Sequence, residues 1–279
     1  MAFERTIDDV RVPAFLYGTA WKEERTRGLV EQALAAGFRG IDTANQRKHY
    51  HEAAVGEALA AAKVPRQELF LQTKFTHRGG QDHRLPYDPH AAVSTQVLQS
   101  CASSLEHLGV ESIDAYLLHG PSLREGLAPE DLEAWAAMEA LRAEGKVRLL
   151  GASNVNRGQL ELLLRHARGP IAFVQNRCHA RTGWDRAVRE ACRANGIVYQ
   201  GFSLLTANQR ELARPELLAI AKRLGLGPSQ VVFRFALQVG MLPLTGTSDP
   251  AHMREDLAVL DGPALGDDDL RAIESIGER

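Results

Sequence analysis

Short runs of apolar residues recur along the chain, and longer segments with a helical spacing of apolar positions separate them. The runs do not alternate apolar and polar residues, which is typical of strands buried on both faces of a parallel sheet. The pattern predicts eight strands, at residues 13–19, 40–44, 69–75, 113–120, 147–153, 171–177, 197–203 and 241–246.

The segments between the strands predict helices. The best defined is 91–108, where apolar residues return every three or four positions and Gly109 follows as a helix end. Residues 129–144 carry acids in their first turn, as the helix dipole favours. Comparable patterns predict helices over residues 183–195, 215–224 and 228–239.

Eight strands, each followed by helical sequence, indicate the α/β class and a single-domain (β/α)8 TIM barrel. An open doubly wound sheet is the alternative, but the turn after the first strand, YGTAW, lacks the GxGxxG spacing typical of that fold. No linker or change in composition divides the chain, so we expect one domain over residues 1–279. Residues 1–12 are predicted to form a hairpin that closes the bottom of the barrel.

Composition and charge narrow the class of protein. The chain has 44% hydrophobic and 24% charged residues and a formal net charge of −2, so we expect neither nucleic acid nor a membrane surface as a partner. No apolar stretch approaches the roughly 18 residues of a membrane span, and the first residues do not resemble a signal peptide. Three cysteines without metal or redox spacing indicate reduced core thiols. These features predict a cytoplasmic protein, a monomer or weak homo-oligomer, that acts on a small molecule.

Ionisable residues stand at the C-terminal ends of predicted strands, where barrels carry their chemistry. Asp42, Lys74 and His119 end three consecutive strands. Taken singly, an aspartate can cap a loop, a lysine can extend to solvent and a histidine can be structural. Because consecutive strands are neighbours in a barrel, we expect these three groups to meet at one rim.

Together with Tyr50, these groups suit acid–base chemistry on a carbonyl. Asp42 would keep Lys74 charged, and the ammonium would lower the pKa of Tyr50 from its usual value of about 10. Tyr50 would then give a proton to a carbonyl oxygen or take it back, with His119 orienting the substrate. No side chain supplies a hydride, so the pattern implies a nicotinamide cofactor and no metal.

The order of motifs resembles the aldo-keto reductase superfamily over nearly the whole chain. The matching segments are GTAW, GFRGIDTA, VGEAL, LFLQTKF, IDAYLLHGP, GKVRLLGASN, VQNRCH, GFSLL, LAIAKRLGLGPSQVVFRFALQ, PLTGTS and REDL. The resemblance implies a catalytic tetrad of Asp42, Tyr50, Lys74 and His119, with Tyr50 as the acid–base residue. It also implies a cofactor site formed by Gly18, Thr19, Asp42, Ser153, Asn154, Gln175, Phe202, Ser203, Leu205, Thr245, Gly246, Thr247, Ser248, His252 and Asp256.

Two departures from the family pattern concern the tyrosine and the cofactor. Tyr50 follows Asp42 by eight positions, farther than the family places its tyrosine, so His49 and His51 are alternative proton carriers. At the adenosine end, Leu244 and His252 stand where many relatives that use NADPH have lysine and arginine, and Asp256 replaces an asparagine. The hydroxyls and amides of the turn at 245–248, with Arg254, remain available for a phosphate. NADPH is the predicted cofactor, with NADH as the alternative.

A third departure concerns the substrate pocket, because Gly120 stands where the family often has tryptophan. The predicted walls of the pocket are Trp21, His49, His77 and the segment 120–130, which begins at Gly120, with Trp184 as a further candidate. An open pocket predicts broad use of aldehydes and ketones, since sharp discrimination needs close polar contacts.

The sequence therefore predicts an NAD(P)H-dependent oxidoreductase that reduces aldehydes and ketones to alcohols, with Tyr50 as general acid. One alternative is a redox sensor or regulatory protein that binds the nicotinamide cofactor with negligible turnover. Another is a lyase or isomerase in which Lys74 forms a Schiff base. The complete tetrad argues against the sensor, and the GASN and GFSLL matches argue against the lyase.

Overall fold

The eight predicted apolar segments become the parallel strands of a closed barrel in the computed structural model, which describes residues 3–278. A two-stranded antiparallel hairpin precedes them. In chain order the strands are β1 (Arg5–Ile7), β2 (Val10–Val12), β3 (Leu16–Gly18), β4 (Gly40–Asp42), β5 (Phe70–Phe75), β6 (Ile113–Leu118), β7 (Val147–Ser153), β8 (Phe173–Arg177), β9 (Val198–Phe202) and β10 (Leu242–Thr245). Within the barrel, β3 to β9 are neighbours in sequence order and β10 closes the ring between β9 and β3. The predicted barrel is confirmed, and the open doubly wound sheet is wrong.

The register of the barrel brings the polar strand ends to one rim. Asp42 pairs with Gln72 across β4 and β5, and Lys74 pairs with Leu117 across β5 and β6. The amide of His119 donates to the carbonyl oxygen of Phe75 at 2.8 Å, which extends the pairing of β5 and β6 by one position. The C-terminal ends of three adjacent strands therefore carry the three ionisable groups.

Helices surround the barrel. They are α1 (Thr26–Ala36), α2 (Glu52–Ala61), α3 (Val93–Leu108), α4 (Pro129–Ala143), α5 (Arg157–His166), α6 (Arg186–Ala194), α7 (Gln209–Leu212), α8 (Pro215–Leu224), α9 (Pro228–Gln238), α10 (Pro250–Ala258) and α11 (Asp267–Glu274). The five predicted helices all form. The sequence placed the start of α6 three residues too early, because Gly183, Trp184 and Asp185 adopt left-handed backbone angles that a helix excludes. In the described part of the chain, no helix has the length and apolar character needed to span a membrane.

The hydrophobic core has two parts, one between strands and helices and one inside the barrel. The interior part contains Phe70, Leu117 and Phe173 from three strands, and Val10 and Val12 from the hairpin pack into it. The hairpin therefore contributes buried apolar side chains to the barrel interior. Residues 1 and 2 of the predicted hairpin lie outside the described residues.

Helices α2 and α3 are in close contact at Gly56. A Cβ atom added there would lie 1.8 Å from the carbonyl oxygen of His107, so one helix would have to move. We expect Gly56→Ala to lower the free energy of unfolding by about 1–3 kcal/mol, as overpacking does. The control is Gly28→Ala in α1, where a Cβ meets nothing within 4 Å. This change should raise stability by about 0.5–1 kcal/mol, because alanine favours helix. Urea unfolding of both variants measures the change in the free energy of unfolding, which should be negative for Gly56→Ala and positive for Gly28→Ala.

Candidate active site

The rim of the barrel holds a buried ion pair between the first two strand ends. The ammonium of Lys74 donates to both carboxylate oxygens of Asp42, at 2.7 and 2.9 Å, and to the carbonyl oxygen of Thr43 at 2.8 Å. Lys74 and Asp42 are almost completely buried. Burial lowers the pKa of Lys74, and the charge of Asp42 opposes that effect. The pair is rigid, because all three donor positions of the ammonium are used.

Three glutamines inside the barrel hold the carboxylate of Asp42 in place. Gln72 and Gln175 each donate an amide hydrogen to Asp42 Oδ1, at 2.7 and 3.0 Å. Gln200 links the two, because its amide oxygen accepts from both, at 2.8 Å each. Sequence analysis identified Gln175 but missed Gln72 and Gln200. Their signal was a polar residue in the middle of an apolar strand, in LFLQTKF and IVYQGFS.

A tight turn returns Tyr50 to the rim despite its distance from Asp42 in sequence. The carbonyl oxygen of Gln46 accepts from the amides of His49 and Tyr50, at 3.2 and 3.0 Å. The side-chain amide of Gln46 donates to the carbonyl oxygen of Gly80 at 2.7 Å, which anchors the turn on a neighbouring loop. The extra residues before the tyrosine are thus absorbed locally, and Tyr50 lies beside Lys74 and His119.

Tyr50 is half-buried between the two other ionisable groups of the rim. The Lys74 ammonium is 5.4 Å from the ring centroid, and the ring packs edge-on against His119 with centroids 5.9 Å apart. The expected lowering of its pKa is wrong. Burial, and then the charge of Asp42, raises the pKa of Tyr50 well above its usual value. The reason is that Asp42 compensates the charge of Lys74, so the tyrosine experiences burial more than a free cation. Tyr50 therefore stays protonated at neutral pH.

His119 completes the group and is neutral. Its Nδ1 lies 2.7 Å from the hydroxyl of Thr76, which orients the ring. Burial, and then the positive charge of Lys74, lower the pKa of His119 to about 3. A neutral imidazole can hold or share a hydrogen bond with a polar group in the cavity without bringing a second positive charge to the rim.

The depressed pKa of His119 has a consequence for stability. Between pH 3 and 6.5 the unfolded chain binds a proton at this residue that the folded chain does not, so stability is lost as pH falls below about 6.5. We expect a contribution of up to about 1.4 kcal/mol per pH unit in this interval. Urea unfolding at pH 7, 6 and 5 should show a flatter dependence for His119→Gln than for the wild type. His166→Gln, which changes an exposed histidine, should keep the wild-type dependence, and equal slopes in all three proteins would contradict the prediction.

A groove of about 470 Å³ begins at this rim and runs to helix α10. At its inner end the residues predicted to hold a carboxamide meet. Ser153 Oγ donates to the carbonyl oxygen of Gln175 at 2.7 Å, and Asn154 Nδ2 donates to that of His119 at 2.8 Å. The predicted residues that line the groove are Gly18, Trp21, Asp42, Tyr50, His119, Ser153, Asn154, Gln175, Phe202, Ser203, Leu205, Thr245, Gly246, Thr247, His252 and Asp256.

Some predicted residues lie elsewhere. Thr19 is buried and donates to the carbonyl oxygen of Asp42 at 3.0 Å, so it positions the acid from behind. His49 stacks on Trp21 with ring centroids 3.9 Å apart, beside the groove. Ser248 is exposed, outside the residues that line the groove. Gly120 is half-buried, and a Cβ there would lie 3.5 Å from Asn154 Cβ.

Two predicted pocket walls are corrected. His77 does not line the groove, because its Nε2 lies 3.0 Å from the buried carboxylate of Asp131. Trp184 is fully buried in the core, where it packs against Phe235 and donates its indole N–H to the carbonyl oxygen of Ile273 at 2.8 Å. The alternative proton carrier His51 precedes helix α2, with Nδ1 3.9 Å from a carboxylate oxygen of Glu24.

The groove also contains residues that sequence analysis missed. Next to the groove, Lys22 donates from its ammonium to the carbonyl oxygen of Gly246, which lines the groove, whereas Lys22 itself is not among the lining residues. The signal was its place directly after GTAW, where a charged residue follows a strand end. The missed lining residues are Ala20, Leu204, Thr206, Gly227, Ser229, Gln230, Phe233 and Glu255, and Leu244, named above at the adenosine end, also lines the groove.

The barrel and its rim, with a phenol, an ammonium and an imidazole at one end of a long groove, define a (β/α)8-barrel oxidoreductase. Residues 16–278 match the model of the aldo/keto reductase family. The chain is 32% identical over 271 residues to an aldo-keto reductase of Mycobacterium avium (strain 104), covering 96% of this chain and 87% of that protein. An aldo-keto reductase of Mycobacterium marinum is 31% identical over 256 residues, covering 91% and 84%. The chain belongs to the aldo/keto reductase family.

Solved structures agree with this assignment. MGS-M4, an aldo-keto reductase from a deep-sea metagenome library, superimposes with a TM-score of 0.83 at 26% identity, covering 96% of this chain and 92% of that one. A putative 2,5-diketo-D-gluconic acid reductase B superimposes with a TM-score of 0.82 at 28% identity, covering 99% and 92%. The protein is therefore an aldo-keto reductase enzyme.

Proposed function

We propose that the enzyme reduces aldehydes and ketones to alcohols with NAD(P)H, using Tyr50 as the general acid. The observation that carries the proposal is the position of Tyr50, half-buried at the end of the groove beside Lys74 and His119. A protonated phenol next to a neutral imidazole is the arrangement needed to polarise a carbonyl oxygen and then protonate it.

The groove has the chemistry to hold a dinucleotide. Its inner end offers the amides and hydroxyl of Ser153, Asn154 and Gln175, which suit a carboxamide. Phe202 supplies an aromatic face beside them for a flat ring. Lys22 supplies a cation farther along, near Gly246, where a pyrophosphate would need one. When bound, NAD(P)H supplies the hydride that no side chain can provide. NADPH and NADH differ at the adenosine ribose, so the charges at the outer end of the groove decide between them.

The residues of the rim would supply the proton and orient the carbonyl group. Tyr50, which its raised pKa keeps protonated at neutral pH, gives its proton to the oxygen that becomes the alcohol. His119 holds the carbonyl oxygen in line without competing as an acid, because its pKa is about 3. Lys74, fixed by Asp42, lies 5.4 Å from the centroid of the Tyr50 ring and holds the phenol in position. The ammonium of Lys74 donates to three acceptors, two on Asp42 and one on Thr43. This use of all its hydrogens argues against a Schiff base on Lys74.

The open end of the rim favours a broad range of substrates. The side chain of Trp21, which lines the groove, is 66% exposed, and Gly120 puts no side chain against Asn154 and Ser153. An apolar wall with few polar groups discriminates weakly between related carbonyl compounds. Physiological substrates are therefore small aldehydes or ketones of varied structure.

Loss of absorbance at the reduced-nicotinamide band tests the proposal. The purified enzyme is mixed with NADPH or NADH and a panel of aldehydes and ketones, and alcohol formation is followed in parallel. Turnover with several of the carbonyl compounds is the expected result. Tight coenzyme binding without turnover on any compound would instead support the redox-sensor alternative.

A further inference from the structure

The outer end of the groove is formed by one face of helix α10. His252, Glu255 and Asp256 line it, spaced three and four residues apart as one helical face requires. A dinucleotide whose nicotinamide lies at Tyr50 must place its adenosine ribose toward this helix, since the groove runs between the two. The side chains of this face therefore meet the group that distinguishes NADPH from NADH.

Carboxylates dominate this end. Glu255 is exposed on the groove, and Asp256 is buried with one oxygen accepting from the hydroxyl of Thr245 at 2.7 Å. Burial raises the pKa of Asp256 to about 6, so it is charged at pH 7.5. A third carboxylate, Asp249, lies outside the groove lining and caps the start of the helix.

The N-terminus of helix α10 could attract a phosphate, but the carboxylate of Asp249 already lies there. The side chain of Asp249 accepts from the amide of Ala251 at 2.7 Å, and the amide of Asp249 donates to the hydroxyl of Thr247 at 3.2 Å. The carboxylate of Asp249 thus occupies the position where the helix dipole favours negative charge. The turn predicted to bind a phosphate presents a negative side chain instead.

Positive charge is scarce at the same place. Among the described residues lining the groove there is no lysine or arginine. Arg254 does not line the groove. It follows His252 by two residues, which puts it on nearly the opposite face of α10. Lys22 stays charged but lies outside the groove lining, at Gly246 rather than at helix α10, and His252 Nδ1 lies 4.0 Å from a carboxylate oxygen of Asp249.

These charges favour the ribose hydroxyls of NADH over the 2′-phosphate of NADPH. A phosphate monoester carries about −1.5 to −2 charges at pH 7, and it would face like charges without a cation to pair with. A carboxylate accepts hydrogen bonds from ribose hydroxyls, as acidic residues do in NAD sites. We infer that the enzyme prefers NADH to NADPH, and that the exposed carboxylates of Asp249 and Glu255 set this preference. The inference rests on the proposed function and replaces the expectation of NADPH.

Calorimetric titration of the wild-type enzyme at pH 7.5 tests the inference without turnover. We expect a Kd for NADH at least about tenfold below that for NADPH. ADP-ribose and 2′-phospho-ADP-ribose, which lack the nicotinamide, should differ in the same direction. Because salt screens exposed charges, the difference should narrow between 50 mM and 500 mM salt, values chosen to change the Debye length by about threefold.

Variants that remove the charges of Asp249 and Glu255 test whether these carboxylates cause the preference for NADH. The double variant Asp249→Asn/Glu255→Gln keeps the helix cap, because asparagine caps as well as aspartate. It should bring the two Kd values to within about threefold of each other. Glu111→Gln, an exposed residue just before β6 at the opposite end of the barrel, is the matched control and should change neither Kd.

The outcomes separate this inference from the proposed function. Binding of NADPH as tightly as NADH would overturn the preference and leave the oxidoreductase intact. A preference that persists unchanged in the double variant would overturn its assignment to these carboxylates. Failure of folded enzyme to bind either coenzyme would overturn the proposed function itself.

Discussion

Replacing Tyr50 with phenylalanine is expected to lower kcat for carbonyl reduction by about 10²–10⁴, while the Kd of the coenzyme stays within about twofold of the wild-type value. The ring of Tyr50 lies beside both Lys74 and His119, and phenylalanine keeps these ring contacts without the phenol proton. Absorbance at the reduced-nicotinamide band gives the rate, and calorimetry gives the affinity. Loss of rate without loss of affinity identifies an interaction made in the transition state.

A second tyrosine provides the control for this result. Tyr116 is buried on β6 in the core between strands and helices, so Tyr116→Phe removes a phenol hydroxyl without touching the rim. It should leave kcat unchanged. Full activity in Tyr50→Phe would contradict the assignment and turn attention to His49 and His51. His49→Gln and His51→Gln would then be assayed with the same carbonyl compound.

The fold and the meeting of Asp42, Lys74 and His119 could be predicted because both follow from position along the chain. Parallel strands in sequence order put their C-terminal ends at one rim, so an ionisable residue at each end meets its neighbours. The boundaries of the helices could be predicted less well, because they depend on local backbone angles. The start of α6 was misplaced because Trp184 and Asp185 adopt left-handed angles that side chains rarely take and that no pattern of apolar positions reveals.

The chemistry of the rim could be predicted less well, because it depends on distances. The sign of the pKa shift of Tyr50 was wrong since it depends on how closely Asp42 compensates Lys74 relative to the tyrosine ring. His77 was placed in the pocket by its proximity in sequence to β5, but a partner on another element, Asp131, turns it away. Gln72 and Gln200 were visible as polar residues in apolar strands, yet their common partner is apparent only when the barrel closes.

The buried ion pair predicts the largest effect on stability. Asp42→Asn is expected to lower the free energy of unfolding by about 3–5 kcal/mol, because it leaves the ammonium of Lys74 buried without a counter-charge. The new amide can also turn its own N–H groups toward Gln72 and Gln175, which already donate to this position. Urea unfolding at pH 7 measures the loss. Asp268→Asn, which changes an aspartate with a 97% exposed side chain, should stay within about 0.5 kcal/mol of the wild type.

The double variant Asp42→Asn/Lys74→Met separates the uncompensated charge from the loss of the pair itself. With both charges gone, the remaining cost is that of imperfect packing and hydrogen bonding, so the double variant should be more stable than Asp42→Asn alone. If the double variant is the more stable one, the barrel tolerates the loss of both charges better than the loss of one. The ion pair would then serve the chemistry of the site rather than the stability of the fold. A double variant as unstable as the sum of the two single variants would contradict this, and would show that the pair acts on stability through two independent contacts.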